Sequence, residues 1–135
     1  MKKILILTHG EWGGYLIESA KMIVGDTSRI DFLPLYPQET LEEFTEKVEK
    51  KVEEMGKDII FLTDISGGTT SNVAMRIAYK NGQKVISGLS APLLFETVNV
   101  LDEIDTDGII DEVLEEARDN CKDVLKELLN NQKQF

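Results

Sequence analysis

The chain carries a single histidine, His9, placed directly after the apolar run Ile4–Leu7 and Thr8, and before Gly10. An imidazole can serve as a nucleophile, a general base or a metal ligand. One histidine and one cysteine, Cys121, do not furnish a zinc site, so no metal is expected and attention falls on the nucleophile. A second polar side chain has the same kind of placement. Asp64 follows the wholly apolar Ile59-Ile60-Phe61-Leu62 and Thr63, and leads into Ile65-Ser66-Gly67-Gly68-Thr69-Thr70-Ser71. A carboxylate beside an imidazole fixes the tautomer and the ring orientation, and stabilises positive charge on the ring while phosphorus is bound. The two glycines let the backbone turn close to a ligand. The hydroxyls and amides that follow, at the start of a helix, form an anion cradle. His9 and Asp64 are therefore the candidate catalytic pair. Gly10, Ser66, Gly67, Gly68, Thr69, Thr70 and Ser71 are the candidate phosphate-binding residues. Each feature has an ordinary explanation: a packed or surface histidine, a turn-forming aspartate, a plain loop. Their joint placement at one rim is what points to chemistry. No Walker pattern is present, so direct use of a nucleotide is not expected, and no cofactor is implied.

The elements that must hold these groups can be read along the chain. Ile4–Leu7 and Ile59–Leu62 are short and apolar throughout, as strands buried on both faces are. Ile30–Leu35 reads as another strand, closed by Pro34 and Pro37, and residues 84–87 as a short fourth. Gly10 to Gly14 reads as a glycine-rich turn that leaves room for an approaching partner. A helix is expected from Tyr15 to Val24 with Leu16, Ala20 and Ile23 on one side. Thr40 and Glu43 have the spacing of a capping box ahead of a helix to Met55, whose Leu41, Phe44, Val48 and Val52 share a face. Helices are further expected from Thr70 to Tyr79, from Ala91 to Leu101, and as one long charged element from Asp107 to Leu129. Cys121 then falls inside a helix as a packing residue. Alternating strands and helices with apolar strands predict a single α/β domain over residues 1–135, doubly wound on a mainly parallel sheet. The expected flavodoxin-like strand order is 2-1-3-4, which makes the strands before His9 and Asp64 neighbours at the switch point.

With 135 residues, 41% of them hydrophobic and 30% charged, the chain suits one globular domain. A net charge of −10 argues against nucleic acid and against an anionic membrane surface. It leaves a basic protein partner open. A single cysteine permits no internal disulfide. The apolar run after Lys2-Lys3 is too short for a signal peptide or a membrane span, so a cytoplasmic protein is expected.

At these residues the chain resembles the IIA domain of the mannose-family sugar phosphotransferase system. Ile6-Leu7-Thr8-His9-Gly10 is similar to the family's phosphorylated-histidine motif, and Phe61 to Thr69 to its aspartate and Gly-Gly loop. Asn72, Ala74, Ile86-Ser87-Gly88 and Pro92-Leu93-Leu94-Glu96-Thr97 continue the similarity. The resemblance runs from Lys3 to about Leu129. It implies that His9 accepts phosphate on Nε2 from the phosphocarrier HPr while Asp64 bonds the other ring nitrogen. His9 would then pass the group to a histidine of the IIB component, and a membrane IIC/IID pair would import and phosphorylate the sugar. It also implies a homodimer with an exchanged C-terminal strand. The helical reading to Leu129, with only Asn130 to Phe135 after it, puts that exchange in doubt. Ser66 stands where the family often has a bulky aromatic. No linker or IIB segment follows, so a stand-alone IIA subunit is expected. The alternative is the phosphotransfer subunit of a dihydroxyacetone kinase, with the same chemistry and another acceptor. A receiver domain phosphorylated on Asp64 fits poorly, because Thr8-His9 stands where an acidic pair would hold magnesium. A flavin domain fits poorly for want of rim aromatics.

Overall fold

A computed structural model describes residues 1–132. Four strands form one all-parallel sheet: β1 (Lys3–His9), β2 (Ile30–Leu35), β3 (Ile59–Thr63) and β4 (Lys84–Ile86), in the order β2-β1-β3-β4. Six α-helices connect or follow them: α1 (Trp12–Val24), α2 (Leu41–Met55), α3 (Thr69–Asn81), α4 (Ala91–Asn99), α5 (Ile109–Asp119) and α6 (Val124–Gln132). The α/β class and the 2-1-3-4 order are as expected.

Period-two alternation divides the apolar strands between two cores. Ile4, Ile6, Ile60 and Leu62 face α1, α4 and α5, where Ala20, Leu93, Leu94 and Val113 meet them. Leu5, Leu7, Ile59 and Phe61 face α2 and α3, against Phe44, Val48, Val52, Val73 and Ile77. Every one of these strand residues is at most 1% exposed. Each such burial contributes roughly 1.5–3 kcal/mol. That is why β1 and β3 are rigid enough to fix what stands at their ends.

Several expectations change. α1 begins at Trp12 and takes Gly13 and Gly14 into its first turn. A Cβ on Gly13 would lie 2.8 Å from Thr8 Cγ2, and one on Gly14 2.9 Å from the Phe32 ring. These glycines let the helix press on the sheet; the space beside them is filled, so it is not open to a partner. On the same helix the inward row is Gly13 and Ala20, both buried, with the partly buried Leu16, Ile17 and Val24, an i, i+4 stripe that leaves Ile23 on the flank, 67% exposed. Leu41, the first residue of α2, is likewise half-exposed, while Phe44, Val48 and Val52 are buried. The capping box of Thr40 and Glu43 forms in full.

The long C-terminal helix is two helices. Asn120 ends α5, with its side chain donating to the Glu116 carbonyl, and Asp123 accepts from the Lys126 amide to start α6. Both side chains compete with the helical backbone, which breaks the run between them. Cys121 therefore lies exposed in the connection and not inside a helix as a packing residue. Helix α6 continues past Leu129 to Gln132, and the rest of the segment expected after the helix, residues 133–135, lies outside the described residues. The expected helix to Leu101 stops at Asn99 and passes into a short 3-10 turn over Leu101–Glu103. No described helix is long and apolar enough to cross a membrane.

Candidate functional site

Parallel pairing sets Leu7 level with Thr63. The next residues of β1 and of the loop after β3 therefore emerge side by side at the carboxyl ends of the strands. There Asp64 Oδ2 accepts two hydrogen bonds from His9, one from its backbone amide and one at ring Nδ1, each 2.8 Å long. The same oxygen thus fixes both the main chain and the ring of one residue, which leaves the imidazole little freedom to swing. The other carboxylate oxygen, Oδ1, accepts from the Ile65 amide at 3.0 Å and from the Thr70 hydroxyl at 2.7 Å. The Asp64 side chain is 3% exposed and that of His9 45%.

Burial pushes the Asp64 carboxyl up, but the His9 amide, the Thr70 hydroxyl and the His9 ring together outweigh it and hold the group below the usual carboxylate range. An ionised carboxylate can only accept. The bond to His9 therefore calls for a proton on Nδ1, and in the neutral ring that tautomer leaves the lone pair on Nε2.

On its other side the ring lies over Gly68: a Cβ there would stand 3.1 Å from His9 Cε1 and 3.7 Å from Nε2. Gly67 makes the turn that brings this backbone in, with φ +82°, a conformation that costs other residues roughly 1–2 kcal/mol. Gly68 is also the N-cap of α3 and offers it no side-chain cap. The helix thus starts beside the imidazole with no side-chain oxygen capping its first amides, and the helix dipole adds partial positive charge there.

The sequence-predicted residues divide into three groups. Gly68 and Thr69 lie beside the ring, and Gly10 lines the same cleft. Ser66 and Gly67 are exposed on the loop. Thr70 and Ser71 are buried with their hydroxyls turned inward, Thr70 to Asp64 and Ser71 to the Ile65 carbonyl and Thr63 Oγ1. With both hydroxyls engaged by protein partners, only the backbone of these last two is left for an anion.

Thr8 is a site residue that spacing did not reveal. It is wholly buried, and its hydroxyl donates to the Gly10 carbonyl at 2.8 Å while accepting from the Gly13 amide at 3.3 Å. It clamps the turn that follows His9 onto α1. Its place beside the histidine was the available signal. The far wall of the site was also missed. His9 opens on a cleft of about 560 Å³ whose other side is Leu35, Tyr36, Pro37 and Leu41. Lys47 braces that wall, donating to the Pro34 carbonyl and to Glu39 beneath the Tyr36 ring. Among the described residues no group of three or more His, Cys, Asp or Glu side chains is placed to hold a metal ion.

The model of the family described as the PTS system fructose IIA component, EIIA-man, matches residues 3–114, from the start of β1 into α5. The chain belongs to this family. Components of this IIA family are phosphotransferases of sugar phosphotransferase systems. The chain is 30% identical over 128 residues to the mannose-specific EIIAB component of Escherichia coli K12, covering 93% of this chain and 39% of that protein. It thus spans about two-fifths of that relative's length. It is 26% identical to the fructose-specific EIIA component of Bacillus subtilis, covering 98% of this chain and 80% of that one. Among solved structures, the phosphotransferase system component EIIA from Streptococcus agalactiae superposes with a TM-score of 0.82 at 25% identity, covering 93% of this chain and 99% of that one. The IIA match contains every residue of the site just described; α6 lies beyond it.

Proposed function

We propose that His9 is a phosphoryl carrier between two proteins of a sugar phosphotransferase system. The Nε2 lone pair attacks phosphorus on a phosphohistidine of HPr. A new N–P bond forms as the donor's N–P bond breaks, and the electron pair returns to the donor's imidazole. In the second transfer the roles reverse: a histidine of the IIB component attacks, and His9 is the leaving group. No water and no metal enter the balance. Asp64 keeps its carboxylate on Nδ1–H throughout, so positive charge on the phosphorylated ring is opposed at 2.8 Å. The Gly68, Thr69 and Thr70 backbone, at the start of α3, supplies donors for the phosphoryl oxygens. Gly10, Ser66, Gly67 and Ser71 shape the loops around that anion. Positioning and fixed dipoles are what such a transfer requires.

The observation that carries this reading is the pair of bonds from one residue to one carboxylate oxygen, which engages Nδ1 of the only histidine and, among the described residues, leaves its Nε2 without a hydrogen-bond partner on a half-exposed ring beside the cleft. The reading places the protein in the cytoplasm and makes sugar import, by a membrane IIC/IID pair, an indirect consequence. It includes a homodimer, supported by the exposed apolar side chains Val124, Leu125, Leu128 and Leu129 on α6. Incubation with radiolabelled phosphoenolpyruvate, enzyme I and HPr is expected to label the protein with acid-labile phosphate. Labelling that survives His9→Ala would sink the assignment.

A further inference from the structure

The two oxygens of Asp64 have separate tasks. Oδ2 holds His9, while Oδ1 holds the Ile65 amide and the Thr70 hydroxyl. We propose that Thr70 is a positioning residue that acts on His9 through Asp64: its buried hydroxyl fixes the rotation of the carboxylate and so selects the Nδ1–H tautomer of His9, in which Nε2 carries the lone pair. This rests on the reading of His9 as a phosphoryl carrier.

Three features support it. First, Thr70 is 0% exposed and its hydroxyl lies 2.7 Å from Oδ1. A phosphoryl oxygen could take that hydroxyl only by displacing Asp64, so the side chain serves the aspartate and not the anion. Second, the terminal torsion of an aspartate is broad and roughly two-fold, so a carboxylate does not hold its own orientation. The Ile65 amide belongs to the next residue and moves with Asp64. Thr70 is built into α3 and ties the carboxylate to a rigid element. Ser71 repeats the link one residue later, through Thr63 and the Ile65 carbonyl. Third, α3 starts at the backbone that packs against the His9 ring. One helix therefore sets both the anion donors and, through Thr70, the hydrogen-bond partner of Nδ1. His9 from β1 is the titratable group that faces Asp64; α3 presents the Thr70 hydroxyl to it. The depressed Asp64 carboxyl, to which the Thr70 bond contributes, agrees with this arrangement.

The test uses Thr70→Val, which keeps the shape and removes the hydroxyl, and Thr70→Ser, which keeps the hydroxyl and removes the methyl. Because the chain has one histidine, its two ring nitrogens can be read without overlap in a nitrogen-15 spectrum above the pH range where imidazole titrates. Wild type and Thr70→Ser are expected to show the Nδ1–H tautomer. Thr70→Val is expected to show a mixture, with phosphoryl transfer from phospho-HPr slowed by about tenfold and restored in the serine variant. A folded valine variant with wild-type tautomer and rate overturns the proposal. So does a serine variant with a mixed tautomer and a transfer rate about tenfold below wild type, since packing of the methyl would then be the cause; this arm decides alone if the valine variant does not fold. The tautomer readout needs no phosphoryl donor. A tautomer shift in a protein that HPr never labels would therefore contradict the carrier reading and leave the role of Thr70 standing.

Discussion

At the scale of single residues, the site depends on one carboxylate that makes four hydrogen bonds from within the protein. Asp64→Ala removes the group that fixes the His9 tautomer, and is expected to slow phosphoryl transfer by about a hundredfold with the circular dichroism spectrum unchanged. A wild-type rate would remove Asp64 from the mechanism. The same carboxylate has a consequence for stability. Its folded pKa lies below its unfolded one. A group of that kind stabilises the fold at pH above the unfolded value and loses this contribution as pH falls through the folded value. Wild type is therefore expected to exceed Asp64→Asn in stability at neutral pH. The gap should narrow as pH drops below about 4, the ordinary aspartate range. Denaturant titrations of both proteins across that range check this. A gap that stays constant would show that ionisation of Asp64 is not what stabilises the loop.

Among the elements, β1, β3 and α3 position the site, and α1 sets how closely the His9 turn is held. Gly13→Ala would drive a methyl into Thr8 and Ile6, at 2.8 and 3.0 Å. It is expected to destabilise the protein by about 1–3 kcal/mol, and to slow transfer because Thr8 clamps the turn after His9. Thermal melts and transfer rates measure both. Gly25→Ala, at the C-terminal cap of the same helix with φ +76° and open space around it, is expected to affect stability through backbone strain alone and to leave the transfer rate unchanged. These contrasts also show how much the sequence could disclose. The apolar runs at Ile4–Leu7 and Ile59–Leu62 declared buried parallel strands, and placed His9 and Asp64 at one rim. The capping box at Thr40 was legible because it is a local pattern. Thr8, Gly13 and the Tyr36–Pro37 wall were not, because their roles exist only once β1, α1 and β2 pack together. Thr70 was legible as a hydroxyl near an anion site, yet its orientation toward Asp64 depends on the angle at which α3 leaves the loop. The break at Asn120–Asp123 was missed because the helical periodicity of the charges continues through it, while two short polar side chains capture the backbone.

For the whole molecule, the acidic surface and the exposed apolar side chains govern association. With a net charge of −10, encounter with a basic partner is favoured and weakens with salt. The rate of phosphoryl transfer from HPr is expected to fall as ionic strength rises, and a flat salt profile would show that long-range steering plays no part. Helix α6 packs none of Val124, Leu125, Leu128 or Leu129 into a core. Together they form an apolar face that isolated monomers rarely expose. The proposed homodimer predicts that Leu125→Glu combined with Leu128→Glu shifts the protein to a monomer in light scattering. An unchanged dimer would place the contact elsewhere, and a monomeric wild type would end the proposal of a dimer.

The central claim is that His9 carries the phosphoryl group on Nε2 while Asp64 holds Nδ1. The most direct measurement is a nitrogen-15 and phosphorus-31 spectrum of the protein phosphorylated by enzyme I and HPr. Phosphorus coupled to Nε2 of the single histidine, with Nδ1 still protonated, is the predicted result. Phosphorus on Nδ1, or an acyl phosphate on Asp64, would contradict it.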